Sequence, residues 1–313
     1  MADATLIAPG VQQAWWVLPA ALLLAAAAVL AAMLDGVLAA PGRRSRGAVA
    51  PLLEVARLLR QRRRRTVAAD LLLWRIGVYG LIPVALLMVT VVPLGSRVLL
   101  DSPIGVVWFN ALDVVMWALV WLAGWGPNAV SGLVGGYRFL AQALAYELPL
   151  MFALVAPAVA AGSLRIGDVA AAQSGLWYVV WMPVAFVVYC LGVLAFSVRG
   201  PFATAAGPDL SGGVLAELSG VDRLMFLAGR YALLAAGAAV AVPLFLGGGA
   251  GPLLPAWAWV LVKTAVLLAL LVAVRRRVPA LRPDKLLEAA WVIVLPAVLL
   301  QDLVVAVVAA GRS

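Results

Sequence analysis

The chain has no histidine, a single cysteine, and charge on only 12% of its 313 residues. Each scarcity excludes a kind of chemistry. Without histidine the commonest metal ligand and general base are missing. Cys190, alone inside an apolar run, supports neither a disulfide framework nor a four-thiolate cluster, so no metal site is expected from this chain. So few charges cannot clothe a soluble core of this size. Acids are scarcer than bases, 14 against 23, which leaves a formal charge of +9. That surplus would suit nucleic acid, but the bases crowd into loops between hydrophobic spans. Membrane topology explains them more simply, and no nucleic-acid partner is expected.

Hydrocarbon takes the place of charge. The chain is 65% hydrophobic, with mean hydropathy +1.08. Eight apolar runs are long enough to cross a bilayer: 15–34, 71–94, 103–125, 135–161, 176–198, 223–246, 256–274 and 286–309. The expected fold is therefore an all-α, polytopic membrane protein of about eight transmembrane helices, forming a single membrane domain over 1–313. The first run lacks a basic leader; although Val37 to Ala40 imitates a cleavage site, it is expected to be retained. Lys and Arg are dense between the first two spans and between the last two, and the opposite loops carry almost none. By the positive-inside rule both termini lie on the non-cytoplasmic side.

The most basic segment, Arg43 to Arg65, carries Val49, Leu52, Leu53, Ala56 and Leu59 at helical spacing. This predicts an amphipathic helix lying in the interface, with its arginines toward headgroups or a partner. A solvated positive loop that only fixes topology is the plainer alternative.

Glu147 is the residue that most needs explaining. It lies nine residues beyond Arg138, about 14 Å deeper along a helix, which is near the middle of a hydrocarbon core about 30 Å thick. An ionisable group there costs about 2.5 to 3.5 kcal/mol on the lenient insertion scale, so it reads as functional. Pro149 has no N–H for the carbonyl of Ala145 and is expected to bend the helix beside it. Asp113 lies on the preceding span at matching depth, and the short loop between the spans makes the two helices antiparallel neighbours. Two mid-membrane acids at one level suggest a proton relay. Alternatively, each is only neutralised by a neighbour, and Arg230 and Lys263, inside other spans, are the candidate bases. A second polar concentration, 200–222, holds Asp209, Glu217 and Asp222 in a Gly- and Pro-rich setting. Acids there either pass protons toward the buried pair or simply line a hydrated loop.

These residues carry a resemblance. The run AGWGPNAVSGLVGGYRFLAQALAYELPL, Ala123 to Leu150, is similar to the signature of the H-type (mitochondrial subunit 1) family of respiratory complex I membrane subunits, AGW-x-x-N followed by G-x-R-x-x-AQ-x-x-x-YE. VRRRVPALRPDKLLEAAWVIVLP, Val274 to Pro296, resembles a second family element and carries Arg275, Arg282 and Asp284. PDLSGGVLAELSG, Pro208 to Gly220, resembles a third and places Asp209 and Glu217 on two of its acids. PLLEVARLL, Pro51 to Leu59, is a weaker match that places Glu54 on an Asp and Arg57 on a Lys.

The resemblance implies a bacterial inner-membrane subunit of a proton-translocating NADH:quinone oxidoreductase, at the junction of its redox and membrane arms. It would form part of the quinone chamber and the entry of the proton path. Glu147, Asp113, Asp209 and Glu217 would then belong to the proton path. Glu54, Arg57, Arg138, Arg275, Arg282 and Asp284 would line the quinone chamber or dock the peripheral arm. The implied partners are the other membrane subunits, the soluble subunits carrying the terminal iron–sulfur cluster and quinone site, quinone as substrate of the complex, and the lipid bilayer. The chain itself would bind no redox cofactor, and catalysis is not expected of it in isolation. The homologous anchor subunit of a membrane-bound nickel–iron hydrogenase or formate hydrogenlyase is the alternative. A stand-alone secondary transporter would show repeat symmetry, which is absent here.

Several departures stand out. Ala205 and Gly207 replace family acids, Asp35 is the only charge where the family has ERK, and Arg230 stands where the family has Glu. An ion pair of Arg230 with Glu147 or Asp113 is the expectation that follows.

Overall fold

The computed structural model describes residues 10–11, 14–40, 42–279 and 281–311. Both ends of the chain, whose side of the membrane the charge pattern predicts, lie outside them. Seven helical stretches among the described residues are long and apolar enough to cross a membrane. They are α1 (Val17–Ala39, extended by a turn at Ala14–Trp16), α3 with α4 (Leu71–Tyr79, Leu81–Val89), α5 (Gly105–Trp125), α6 (Val130–Ala161), α10 (Gly220–Phe245), α11 (Ala256–Arg277) and the last. That last stretch joins α12 (Pro283–Ala289) to α13 (Leu295–Ala310) through a π turn at Ala290–Val294. The π turn falls where Pro296 removes the amide that residue 292 would bond.

The eighth expected span, 176–198, is interrupted. A four-residue helix, α8 (Tyr178–Trp181), precedes α9 (Pro183–Phe196), and the break sits at Met182 and Pro183. Fourteen residues of α9 reach about 21 Å, short of a full crossing. The remaining helices are α2 (Arg44–Arg60), which carries the basic segment, and the short α7 (Ile166–Ala171). Apart from a two-residue parallel pairing of Gly10–Val11 with Arg97–Val98, the described chain is helical or looped.

Helix α10 is the centre of the bundle. Its run of alanines and glycines, Ala232 to Ala241, lets α1, α4, α9 and α11 approach closely, and it is the most enclosed of the seven stretches. Helix α1 and the last span are the most exposed and form the periphery. Helices α5 and α6 lie side by side, joined by only four residues, and α6 continues as one helix through Pro149 and Pro157. Asp70 starts α3 by accepting the amides of Leu72 and Leu73, each at 3.1 Å.

Helix α2 forms as its periodicity predicts, and it docks on α1 through glycine. A Cβ on Gly36 would lie 2.1 Å from the carbonyl oxygen of Gly47, so the two backbones meet directly. The apolar stripe Val49, Leu52, Leu53 and Leu59 points away from the bundle, exposed by 45 to 64%. This is the orientation expected of a helix lying in the membrane interface.

Candidate functional site

Asp113 and Glu147 meet across the α5–α6 interface. Asn110 and Asp113, one turn apart on α5, face Tyr146 and Glu147 on α6. Asp113 is fully buried; its Oδ1 accepts the Tyr146 hydroxyl at 3.1 Å, and its Oδ2 is buried without a partner among the described residues. Oε1 of Glu147 accepts from Nδ2 of Asn110 at 3.2 Å, and its Oε2 is likewise buried without a partner. Asn110 and Asp113 on one side, with Tyr146 and Glu147 on the other, place the two carboxyl groups in one buried polar patch. Phe109 and Tyr189, both fully buried and 5.9 Å apart between ring centroids, close the apolar wall nearby. Each acid thus keeps one oxygen idle in a setting where an unsatisfied polar atom is costly, an arrangement suited to exchanging a proton.

Neither basic residue expected to neutralise this pair does so. Arg230 turns toward α9 and donates to the carbonyls of Ser197, at 3.3 Å, and Val198. Lys263 donates to the carbonyls of Leu246, Gly248 and Ala250 at 2.6, 3.0 and 2.8 Å, under the ring of Trp177. The reason is local. Chain reversals beside both residues leave carbonyls without helical partners, and a long cationic side chain satisfies several of them at once.

The other predicted residues fall into separate groups. Arg138 pairs with Asp209, tying α6 to the loop of short turns over 204–215. Within that loop Gly213 has φ +53°, and a Cβ there would lie 2.0 Å from the oxygen of Ala205, so the turn requires glycine. The hydrogen bond from Arg138 holds the Asp209 carboxyl below the usual carboxylate range. The sign follows: the contact is intact above about pH 4 and is lost as pH falls through the lowered value. Amide exchange across 204–215 is expected to stay slow down to that pH and then quicken, and Arg138→Gln is expected to quicken it already at neutral pH.

Buried Gln142 joins the same region, donating to the Ala195 carbonyl at 2.9 Å and accepting from Thr204 at 3.2 Å. Glu217 is half-buried and has no hydrogen-bond or ion-pair partner among the described residues. Glu54 and Arg57 pair with each other on α2, 2.5 Å apart, and Arg57 holds the Glu54 carboxyl below its ordinary range. Arg282 and Asp284 are exposed and 3.8 Å apart.

Arg275 enters a buried cluster that the linear sequence conceals. Asp35, at the end of α1, accepts from the Tyr231 hydroxyl and from Nε of Arg276, each at 2.7 Å. It is ion-paired with Arg275 at 2.9 Å, and Arg199 lies 3.9 Å away with its guanidinium stacked 3.5 Å over the Tyr231 ring. No spacing rule joins residues so far apart in the chain. Asp302 is a further acid in the last span, and both its carboxylate oxygens are buried without a partner among the described residues. The rule that singled out Glu147 applies to it equally.

Residues 17–306 match the family described as NADH dehydrogenase. Among curated relatives, the second H-type subunit of the NADH-quinone oxidoreductase of Geobacter sulfurreducens is 33% identical over 269 residues, 82% of each chain. The corresponding second H-type subunit from Cereibacter sphaeroides is 38% identical over 219 residues, 69% of each chain.

Proposed function

Because the chain belongs to the NADH dehydrogenase family, we propose that it is the multi-pass, H-type membrane subunit of a proton-translocating NADH:quinone oxidoreductase. It would sit in a bacterial inner membrane with α8 and α9 together making the eighth crossing, and both termini outside the cytoplasm. The observation that carries the mechanism is the shared patch at the α5–α6 interface in which Asn110 holds Glu147 and Tyr146 holds Asp113. Two carboxyl groups sharing one apolar site cannot both hold charge at low cost, so the pair is a natural store for one proton. The idle oxygen on each acid is where that proton enters and leaves.

On this reading the loop at 204–217 lies between the quinone chamber and the buried pair. Asp209 and Glu217 supply carboxylates at its hydrated end, and Arg138 fixes the loop to α6. The outward apolar face of α2, flanked by the Glu54–Arg57 pair, borders the route by which quinone leaves the bilayer. Arg282 and Asp284, exposed beyond α11, dock the soluble arm. Electron transfer is assigned on this reading to those soluble partners. The chain's work is proton movement and the housing of quinone.

Purification of the native complex through a tag on this chain tests the assignment. Soluble subunits bearing an iron–sulfur cluster and NADH-dependent quinone reduction are expected to accompany it. A nickel-binding catalytic subunit in their place would assign the chain to a hydrogenase instead.

A further inference from the structure

At the end of the bundle opposite the Asp35 cluster lies a cavity of about 700 Å³ between α1, the turn that follows α4, α10 and α11. Its wall is aliphatic, built from residues such as Leu23, Leu24, Val92, Ala239 and Val260. Its mouth has a different character. Arg97 is exposed there with its guanidinium 4.8 Å over the ring of Trp16, and Trp257, 55% exposed, stands beside it. Tryptophan and arginine at the end of apolar helices mark the level of lipid headgroups. Arg97 is exposed, and no carboxylate among the described residues lies within ion-pair distance of it.

We propose that this groove holds one acyl chain of an anionic phospholipid, with the headgroup phosphate on Arg97. Size, wall and charge each narrow the occupant. A transmembrane helix, about 10 Å across and 30 Å long, fills more than about three times this volume and is excluded. Cavities of roughly 300 to 1,000 Å³ hold a single small molecule. An aliphatic wall offers water too few partners to stay, whereas an alkyl chain leaves nothing unsatisfied. A neutral isoprenoid tail would suit the wall but leave Arg97 without an anion, whereas a phosphate diester accepts from its guanidinium. The groove is lined by none of the residues of α5 and α6, which carry the buried acids, so this site stands whether or not Asp113 and Glu147 carry protons.

Native mass spectrometry of the full chain, released from nanodiscs of phosphatidylglycerol and phosphatidylcholine in equal parts, tests the proposal. The wild-type chain is expected to retain one phosphatidylglycerol in preference to phosphatidylcholine. Arg97→Gln is expected to lower that preference about tenfold, the factor one charge-assisted hydrogen bond is worth, and Arg97→Lys to keep most of it. Ala239→Phe, or Ala20→Phe if the first fails to fold, fills the groove and is expected to abolish retention of either lipid. Equal retention of the two lipids, a preference unmoved by Arg97→Gln, or displacement of the phospholipid by added quinone overturns it.

Discussion

Asp35→Ala is expected to destabilise the chain by about 3 to 5 kcal/mol, the cost of removing one partner from a buried ion pair. Asp35 is 5% exposed and, among the described residues, is the only acid paired with Arg199, Arg275 and Arg276, of which Arg199 is 4% exposed. Arg230 lies behind them and relies on backbone carbonyls. Three guanidinium groups therefore lean on one carboxylate, and its loss leaves their charges uncompensated in a setting that screens poorly. Asp35→Asn removes the charge and keeps an acceptor for only one of Tyr231 and Arg276, which bond different oxygens, so its difference from alanine reports the worth of one hydrogen bond without the charge. Charge dominates here, so Asn is expected to recover little, and adding Arg275→Gln to Asp35→Asn to recover part of the loss. Thermal unfolding of the purified chain in detergent checks this. A loss within about 0.5 kcal/mol of wild type, typical of a surface position, would contradict it.

Periodicity and hydropathy reveal most of this architecture because a bilayer imposes the same length and apolarity on every crossing helix. The exception is instructive. Hydropathy over 176–198 is continuous, yet Pro183 divides it, because a proline acts on one backbone bond while hydropathy averages over many. Asp113 and Glu147 are legible together because a four-residue loop fixes their helices as neighbours, and equal depth then follows from the rise per residue. Arg230 misled for the opposite reason. Its charge invites pairing with an acid, but α9 ends beside it at Phe196 and offers carbonyls closer by. The Asp35 cluster joins α1, α10, α11 and the segment after α9, and only tertiary packing brings them together. Asp302 shows that the sequence held one more mid-membrane acid than periodic reading alone singled out.

Glu147→Gln and Asp113→Asn are expected to lower proton translocation by the assembled complex to below about a tenth of wild type. Proton transfer by a positioned side chain contributes about 10²- to 10⁴-fold. Each amide preserves shape and one acceptor, so Asn110 and Tyr146 keep their partners, and what disappears is the exchangeable proton. Because the two carboxyls act as a unit, the double variant is expected to be no worse than either single one. If instead the acids titrate independently at unrelated sites, the two losses would multiply.

The most direct measurement is the number of protons moved per electron by the complex in sealed proteoliposomes, wild type beside Glu147→Gln, with quinone reduction followed in the same vesicles. The account predicts that the ratio falls in the variant even where electrons still reach quinone. An unchanged ratio at an unchanged rate would show that protons pass through this membrane without visiting the Asp113–Glu147 pair.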